Sequence, residues 1–194
     1  MENILNNKEN QLVENALNSI INEHIKLIHT IDYNEIANLI APITNAKRIF
    51  VMGAGRTGLM MGAAAMRLMH LGYTVHVVGE TTAPAIAEGD LLIAGSGSGT
   101  TNGIVRAAET AKKIGAAILC FTTDNTSTLA ELADQTVTIP AAQKQARDEK
   151  VSKQYAGSLF EQSLLLVLDA FIQILWSLDG STASELWKRH ANME

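Results

Sequence analysis

The sequence predicts an α/β fold, a three-layer α/β/α sandwich around a five-stranded parallel sheet. Three observations carry that prediction. Five short, β-rich runs are apolar at consecutive positions, which suits strands covered on both faces. Segments with helical apolar spacing lie between most of them, and alternation of this kind implies parallel strands joined by right-handed crossovers. The chain has 194 residues, 47% apolar and 18% charged, enough to bury one core and too apolar for a disordered segment.

The elements follow in order. Leu12, Val13, Ala16, Leu17, Ile20, Ile21, Ile25 and Ile28 have helical spacing and place a helix over 5–30. A second helix starts near Tyr33, with Asp32 as its N-cap. Together they form a helical arm over about 5–45. The strands are RIFVM (48–52), TVHVV (74–78), LLIA (91–94), AAILCF (116–121) and TVTI (136–139). Helices are expected over Gly58 to Leu71, Thr101 to Ile114 and Ser127 to Ala133. The link between the second and third strands is read as a loop. Sheet and crossovers thus fill about 47–140. The polar stretch 141–157 has the composition of a mobile loop or lid. C-terminal helices occupy about 158–190, and the first, Ser158 to Leu178, is apolar on nearly every side. Such a helix is buried all round, which points to packing against another subunit in a homo-oligomer, a dimer or tetramer. No repeat or linker divides the chain, so 1–194 reads as a single domain with extra helices at both ends.

Charge and composition narrow the partners. The net charge is −5 with acids and bases interspersed, which argues against nucleic acid. The most apolar run, Leu164 to Trp176, is interrupted by Asp169 and Gln173 and is too short to span a bilayer. No basic n-region precedes an apolar stretch at the N-terminus. The lone Cys120, in an apolar run, reads as a small core residue in a reducing compartment. These features predict a cytoplasmic protein without membrane partners.

Two glycine-rich loops carry the chemistry. The first strand ends in Gly53-Ala-Gly-Arg-Thr-Gly58, a G-x-G-x-x-G between strand and helix. That context keeps a dinucleotide cofactor open, with Glu80 near the end of the second strand for the ribose. The third strand ends in Gly95-Ser-Gly-Ser-Gly-Thr-Thr101 and opens a helix. Gly95, Gly97 and Gly99 let backbone N–H groups converge, and Ser96, Ser98, Thr100 and Thr101 add hydroxyls. The helix start adds further donors and the positive end of its dipole. The assembly suits a phosphate, although Thr100 or Thr101 could simply be an N-cap. It lacks the lysine of a P-loop, so nucleoside triphosphate chemistry is not expected. Two such loops at adjacent strand ends favour a phosphorylated ligand between them.

GAGRTG, GSGSGTT and FTTDNTSTLAELADQTVTIP together resemble the sugar isomerase (SIS) domain family, over most of the chain after residue 30. The blocks RLMHLGYTVHVVGETTAPAI, SLFEQSLLLVLDAF and KRHANME resemble the 6-phospho-3-hexuloisomerase branch of that family. The resemblance implies strand order 2-1-3-4-5. It also implies interconversion of D-arabino-hex-3-ulose 6-phosphate and fructose 6-phosphate, the second step of formaldehyde fixation through ribulose monophosphate, with no cofactor. It places phosphate binding on Ser96, Ser98 and Thr101 of S-x-S-G-x-T, and on Thr57, where serine is more usual. It places the catalytic carboxylate on Glu161. The chain departs from the family at Thr100, where Glu or Gln is expected, and at Gln154-Tyr-Ala-Gly157.

Moving a carbonyl to the neighbouring carbon needs a base that takes a proton from one carbon and returns it to the other through an enediol. Glu161 shares a helix face with Leu164, Leu165 and Leu168, which would shelter it from water. Ser158-Leu-Phe-Glu161 also fits a capping box, in which Glu161 would only bond back to Ser158. His190 could exchange a proton with a substrate oxygen near neutral pH, reaching a site across a subunit boundary, or it could be an exposed helix-end histidine. Gly55 and Arg56 lie in the first loop, and Arg56 could bind phosphate or a sugar hydroxyl. His24, His29, His70 and His76 read as structural or exposed. No His/Cys/Asp/Glu cluster has metal-ligand spacing, so no metal is expected. The rivals are a non-catalytic sugar-phosphate sensor, whose form as a transcription regulator is disfavoured by the lack of a helix-turn-helix extension, and a dinucleotide-linked oxidoreductase.

Overall fold

A computed structural model describes residues 2–142 and 152–193. Part of the stretch read as a lid, 143–151, lies outside the described residues. In chain order the elements are α1 (Glu2–Ile28), α2 (Tyr33–Ala37), α3 (Ile40–Asn45), β1 (Ile49–Gly53), α4 (Gly55–His70), β2 (Val75–Val77), β3 (Leu91–Gly95), α5 (Asn102–Ile114), β4 (Ala117–Thr122), α6 (Thr128–Leu132), β5 (Gln135–Thr138), α7 (Ser158–Asp179) and α8 (Ala183–Trp187). The sheet is parallel, in the order β2-β1-β3-β4-β5. Five strands and the order 2-1-3-4-5 are both as the sequence and its resemblance imply.

The central strands β1, β3 and β4 are apolar along most of their length because alternate residues feed two cores. Ile49, Val51, Leu91, Ile93, Leu119 and Phe121 point into one, beneath α4 and α7. Phe50, Leu92, Ala94, Ile118 and Cys120 point into the other, beneath α5 and α6. Both sets are almost fully buried, and burial pushes the Cys120 thiol up to about 12. Met61, Ala64, Ala65 and Leu68 of α4 share the first core with Leu164, Leu168, Phe171 and Leu175 of α7. α7 has 22 residues, more than the apolar run within it. By length and composition it could therefore cross a membrane, contrary to the sequence expectation. The helix runs on through polar residues at both ends, and half of its apolar stretch is buried in the domain's own core while Leu166, Ile174 and Trp176 stay exposed.

Asp32 caps α2, as expected, by accepting from the Asn34 N–H. α4 begins three residues earlier than the sequence suggests, at Gly55. Gly53 explains how strand and helix meet so early. A Cβ at Gly53 would lie 2.9 Å from the Gly58 Cα, so the first and last glycines of the motif let the chain fold back on itself.

Candidate active site

Strand order reverses between β1 and β3, and ligands of open α/β sheets sit beyond the strand ends at such a point. A cavity of about 230 Å³ lies there. Its walls come from the β1–α4 turn (Ala54, Gly55, Thr57), the β3–α5 loop (Gly95, Ser96, Gly97, Ser98, Thr101), Ile104, Ala142, and Gly157 and Phe160 at the start of α7. Gly55, Thr57, Ser96, Gly97, Ser98 and Thr101 are thus gathered as the sequence proposed.

Three helices begin at this cavity. α4, α5 and α7 start from Ala54, Thr101 and Gly157, and none has a side-chain cap. Their first-turn N–H groups and dipole ends converge on one volume, a setting that favours an anion. Thr101 stands in the N-cap position of α5, yet its hydroxyl is turned to Ser96, with Oγ atoms 3.1 Å apart. The Thr100 N–H and hydroxyl both donate to Ser98 Oγ, at 3.3 and 3.1 Å. The hydroxyls therefore belong to the loop rather than to the helix cap.

The loop rests on β4, a support that the sequence reading missed. The Gly97 carbonyl accepts from the Thr123 N–H at 3.0 Å, from its hydroxyl at 2.7 Å and from the Thr122 hydroxyl at 3.2 Å. The Leu129 N–H donates to the Gly99 carbonyl at 2.9 Å. Gly99 has φ +62°, and a Cβ there would lie 2.0 Å from Ser127 Oγ, so no other residue fits. The clustered hydroxyls after β4 were the available signal.

Glu161 is 2% exposed. It lies next to the cavity wall at Phe160 but is not itself part of the wall, and neither are Arg56 or Gly99. Its Oε2 accepts from Arg56 Nη1 at 3.2 Å. Arg56 therefore meets the carboxylate through Nη1 and supplies the counter-charge that a buried carboxylate needs. The capping-box alternative does not hold at the helix start. The cap position is Gly157, and Ser158 is the first helical residue, its hydroxyl donating to the Tyr155 carbonyl at 2.6 Å. A true capping box forms instead at Thr182 and Glu185 of α8.

His190 is elsewhere. It stacks on His70 at 3.9 Å and on Trp187 at 4.7 Å. His70 ends α4, and 16 residues at about 1.5 Å each place it roughly 24 Å from the helix start at the cavity. Within one chain His190 and Glu161 are not brought together. Glu80 also stands apart, in a separate hollow with Phe50, Val78 and Ile86. Among the described residues no group of three or more His, Cys, Asp or Glu is gathered as metal ligands.

Comparison with known proteins agrees with this geometry. The SIS domain family matches residues 42–167. The chain is 53% identical to a 3-hexulose-6-phosphate isomerase of Mycobacterium gastri, over 94% of this chain and 92% of that protein. It is 39% identical to a Bacillus subtilis protein of the same name, over 90% and 95%. A crystal structure from Methanococcus jannaschii, for which the function of 3-hexulose-6-phosphate isomerase was inferred, superposes with TM-score 0.79 at 34% identity, covering 93% of this chain and 99% of that one. With likeness of this extent along nearly its whole length, the chain belongs to the SIS-domain family, among its 3-hexulose-6-phosphate isomerases.

Proposed function

We propose that the chain interconverts D-arabino-hex-3-ulose 6-phosphate and D-fructose 6-phosphate, with Glu161 as the proton carrier. The observation that carries this reading is the convergence of three uncapped helix starts and a hydroxyl-lined loop on one cavity, with the buried carboxylate of Glu161 on the residue that follows Phe160 of its wall. The phosphate is held by Ser96, Ser98, Thr101 and Thr57 and by N–H groups of the loop. Its tail then fixes C2 and C3 near the start of α7. Glu161 removes the proton from C2 of the 3-ulose, charge moves onto O3, and a 2,3-enediol forms. The O2 proton passes to O3 and Glu161 returns its proton to C3, which leaves the carbonyl at C2. Arg56, released from Glu161 as the carboxylate takes the proton, is placed to stabilise the developing enediolate. One base serves both carbons, and the chemistry needs no cofactor.

A second copy of the chain belongs to this reading. Leu12, Val13, Leu17 and Ile21 of α1 and Leu166 and Leu178 of α7 are exposed apolar residues, more than an isolated domain would leave in water. A homo-oligomer would cover them, and it is the setting in which His190 would meet the phosphate cavity of a neighbouring subunit. A cytoplasmic location goes with this chemistry.

The test is a coupled assay that supplies the 3-hexulose 6-phosphate and follows fructose 6-phosphate through glucose 6-phosphate oxidation. The native chain should turn over, and Glu161→Gln should lose about 10³-fold in kcat while still binding fructose 6-phosphate. Binding without turnover in the native chain would leave a sensor, and the proposal would be wrong.

A further inference from the structure

We propose that Glu23 and His24, neighbours on α1, are positioning residues that hold Glu161 in register with the cavity. The inference rests on the assignment of Glu161 above. The Glu23 carboxylate accepts from the Ser152 hydroxyl at 2.7 Å, the Lys153 N–H at 2.8 Å and Gln154 Nε2 at 2.9 Å. Burial alone would push this carboxyl up, but the bonds from Gln154, Lys153 and Ser152 and the nearby His24 hold it below the usual range. His24 grips the other side of Glu161. Its Nε2 lies 2.9 Å from Gln162 Oε1 and its Nδ1 lies 3.1 Å from Ser163 Oγ. A carbonyl oxygen only accepts, so Nε2 donates to Gln162, while Nδ1 shares a hydrogen with the Ser163 hydroxyl.

Two adjacent α1 residues thus tie down 152–154 and 162–163, the segments on either side of the cavity wall and the carboxylate. Between them the chain makes a strained turn. Ala156 has φ 43° and Gly157 φ 79°, two successive left-handed residues before α7 begins. A non-glycine residue stays in that region only when its surroundings hold it there, and Glu23 anchors the chain just ahead of it. Gly157 and Phe160 then form the wall, and Glu161 follows. The phosphate loop takes no part in this clamp, since its supports come from β4 and α6. Losing the clamp should therefore misplace the base without weakening the grip on phosphate, and a misplacement of about 1 Å is enough to slow a reaction substantially.

Steady-state kinetics, the affinity for fructose 6-phosphate by calorimetry and the Tm should be measured together for Glu23→Ala, Glu23→Gln and His24→Ala. Glu23→Ala and His24→Ala should lower kcat by about tenfold or more, with product affinity within twofold and the Tm nearly kept. Glu23→Gln should recover most of the rate, because its amide oxygen still accepts from the Lys153 N–H. Wild-type kcat in Glu23→Ala, or a fall in kcat that tracks lost affinity and Tm, overturns the proposal. Glu161→Gln, run alongside, separates the two ideas. If it keeps full turnover, the site assignment itself fails. If it is inactive while Glu23→Ala works normally, only the clamp fails.

Discussion

The two ends of the sheet treat polar groups differently. At the end where strands begin, Asp90 and Asp134 are closed by permanent partners. Asp90 accepts from Arg48 Nε at 3.0 Å, from Arg48 Nη2 at 2.5 Å and from the Ala87 N–H at 2.8 Å. Asp134 accepts the Ile118 N–H at 2.8 Å, and Gly115 closes α5 in the left-handed conformation. At the end where strands finish, α4, α5 and α7 begin without side-chain caps around the cavity. Of the short helices, α2, α6 and α8 are capped by Asp32, Ser127 and Thr182, while α3 starts from Leu39 without a side-chain cap. A side-chain cap typically contributes about 1 kcal/mol, so three uncapped starts at one place mark donors kept for a ligand. One end is built for stability and the other for binding.

Substitutions at the two ends should therefore separate kinetics from stability. The largest effect is expected for Gly99→Ala, which puts a Cβ into Ser127 and forces a left-handed backbone on alanine. It should lower kcat/KM by about 100-fold or more in the coupled assay. Thr101→Val removes a cradle hydroxyl that caps nothing, so KM should rise about tenfold while the Tm measured by calorimetry stays within about 1 °C. Asp90→Asn reverses that pattern. Its carboxyl is pushed up by burial but held below its usual range by Arg48, Ala87 and Lys47. The variant should lose about 5 °C in Tm and leave kcat/KM unchanged. A kinetic defect in Asp90→Asn, or a large Tm loss in Thr101→Val, would dissolve the contrast.

The smallest effect concerns pH. His70 is buried, faces His190, Arg67 and Arg189 as well as Asp169, and lies below its ordinary 6.5 through burial, then His190 and Arg67. A histidine depressed on folding binds more protons unfolded, so its contribution is fully present above about 6.5 and is lost as the pH falls. The Tm should drop modestly between pH 7.5 and 5.5, a window above carboxylate titration, and less so in His70→Phe.

Much of the cavity was legible because its parts are local. Glycines and hydroxyls at strand ends have few other uses, and G-x-G-x-x-G and S-x-S-G-x-T each sit within one loop. The partners of Glu161 were not legible. Arg56 is 105 positions away from it, and Glu23 lies 129 residues before Ser152. No local pattern encodes such distances. The S-x-x-E of Ser158 to Glu161 was ambiguous because a capping box and a catalytic carboxylate can share one spelling. Gly157 removes the capping box by taking the cap position.

By itself the sequence determined the layers, the strands and the phosphate-type loops, because short consecutive apolar runs and glycine-hydroxyl clusters act over a few residues. Only the tertiary structure decided that α7 starts beside those loops, that its carboxylate meets Arg56, and that His190 lies at the far end of α4. Those facts depend on which helix packs on which face of the sheet, and a one-dimensional pattern does not specify that choice.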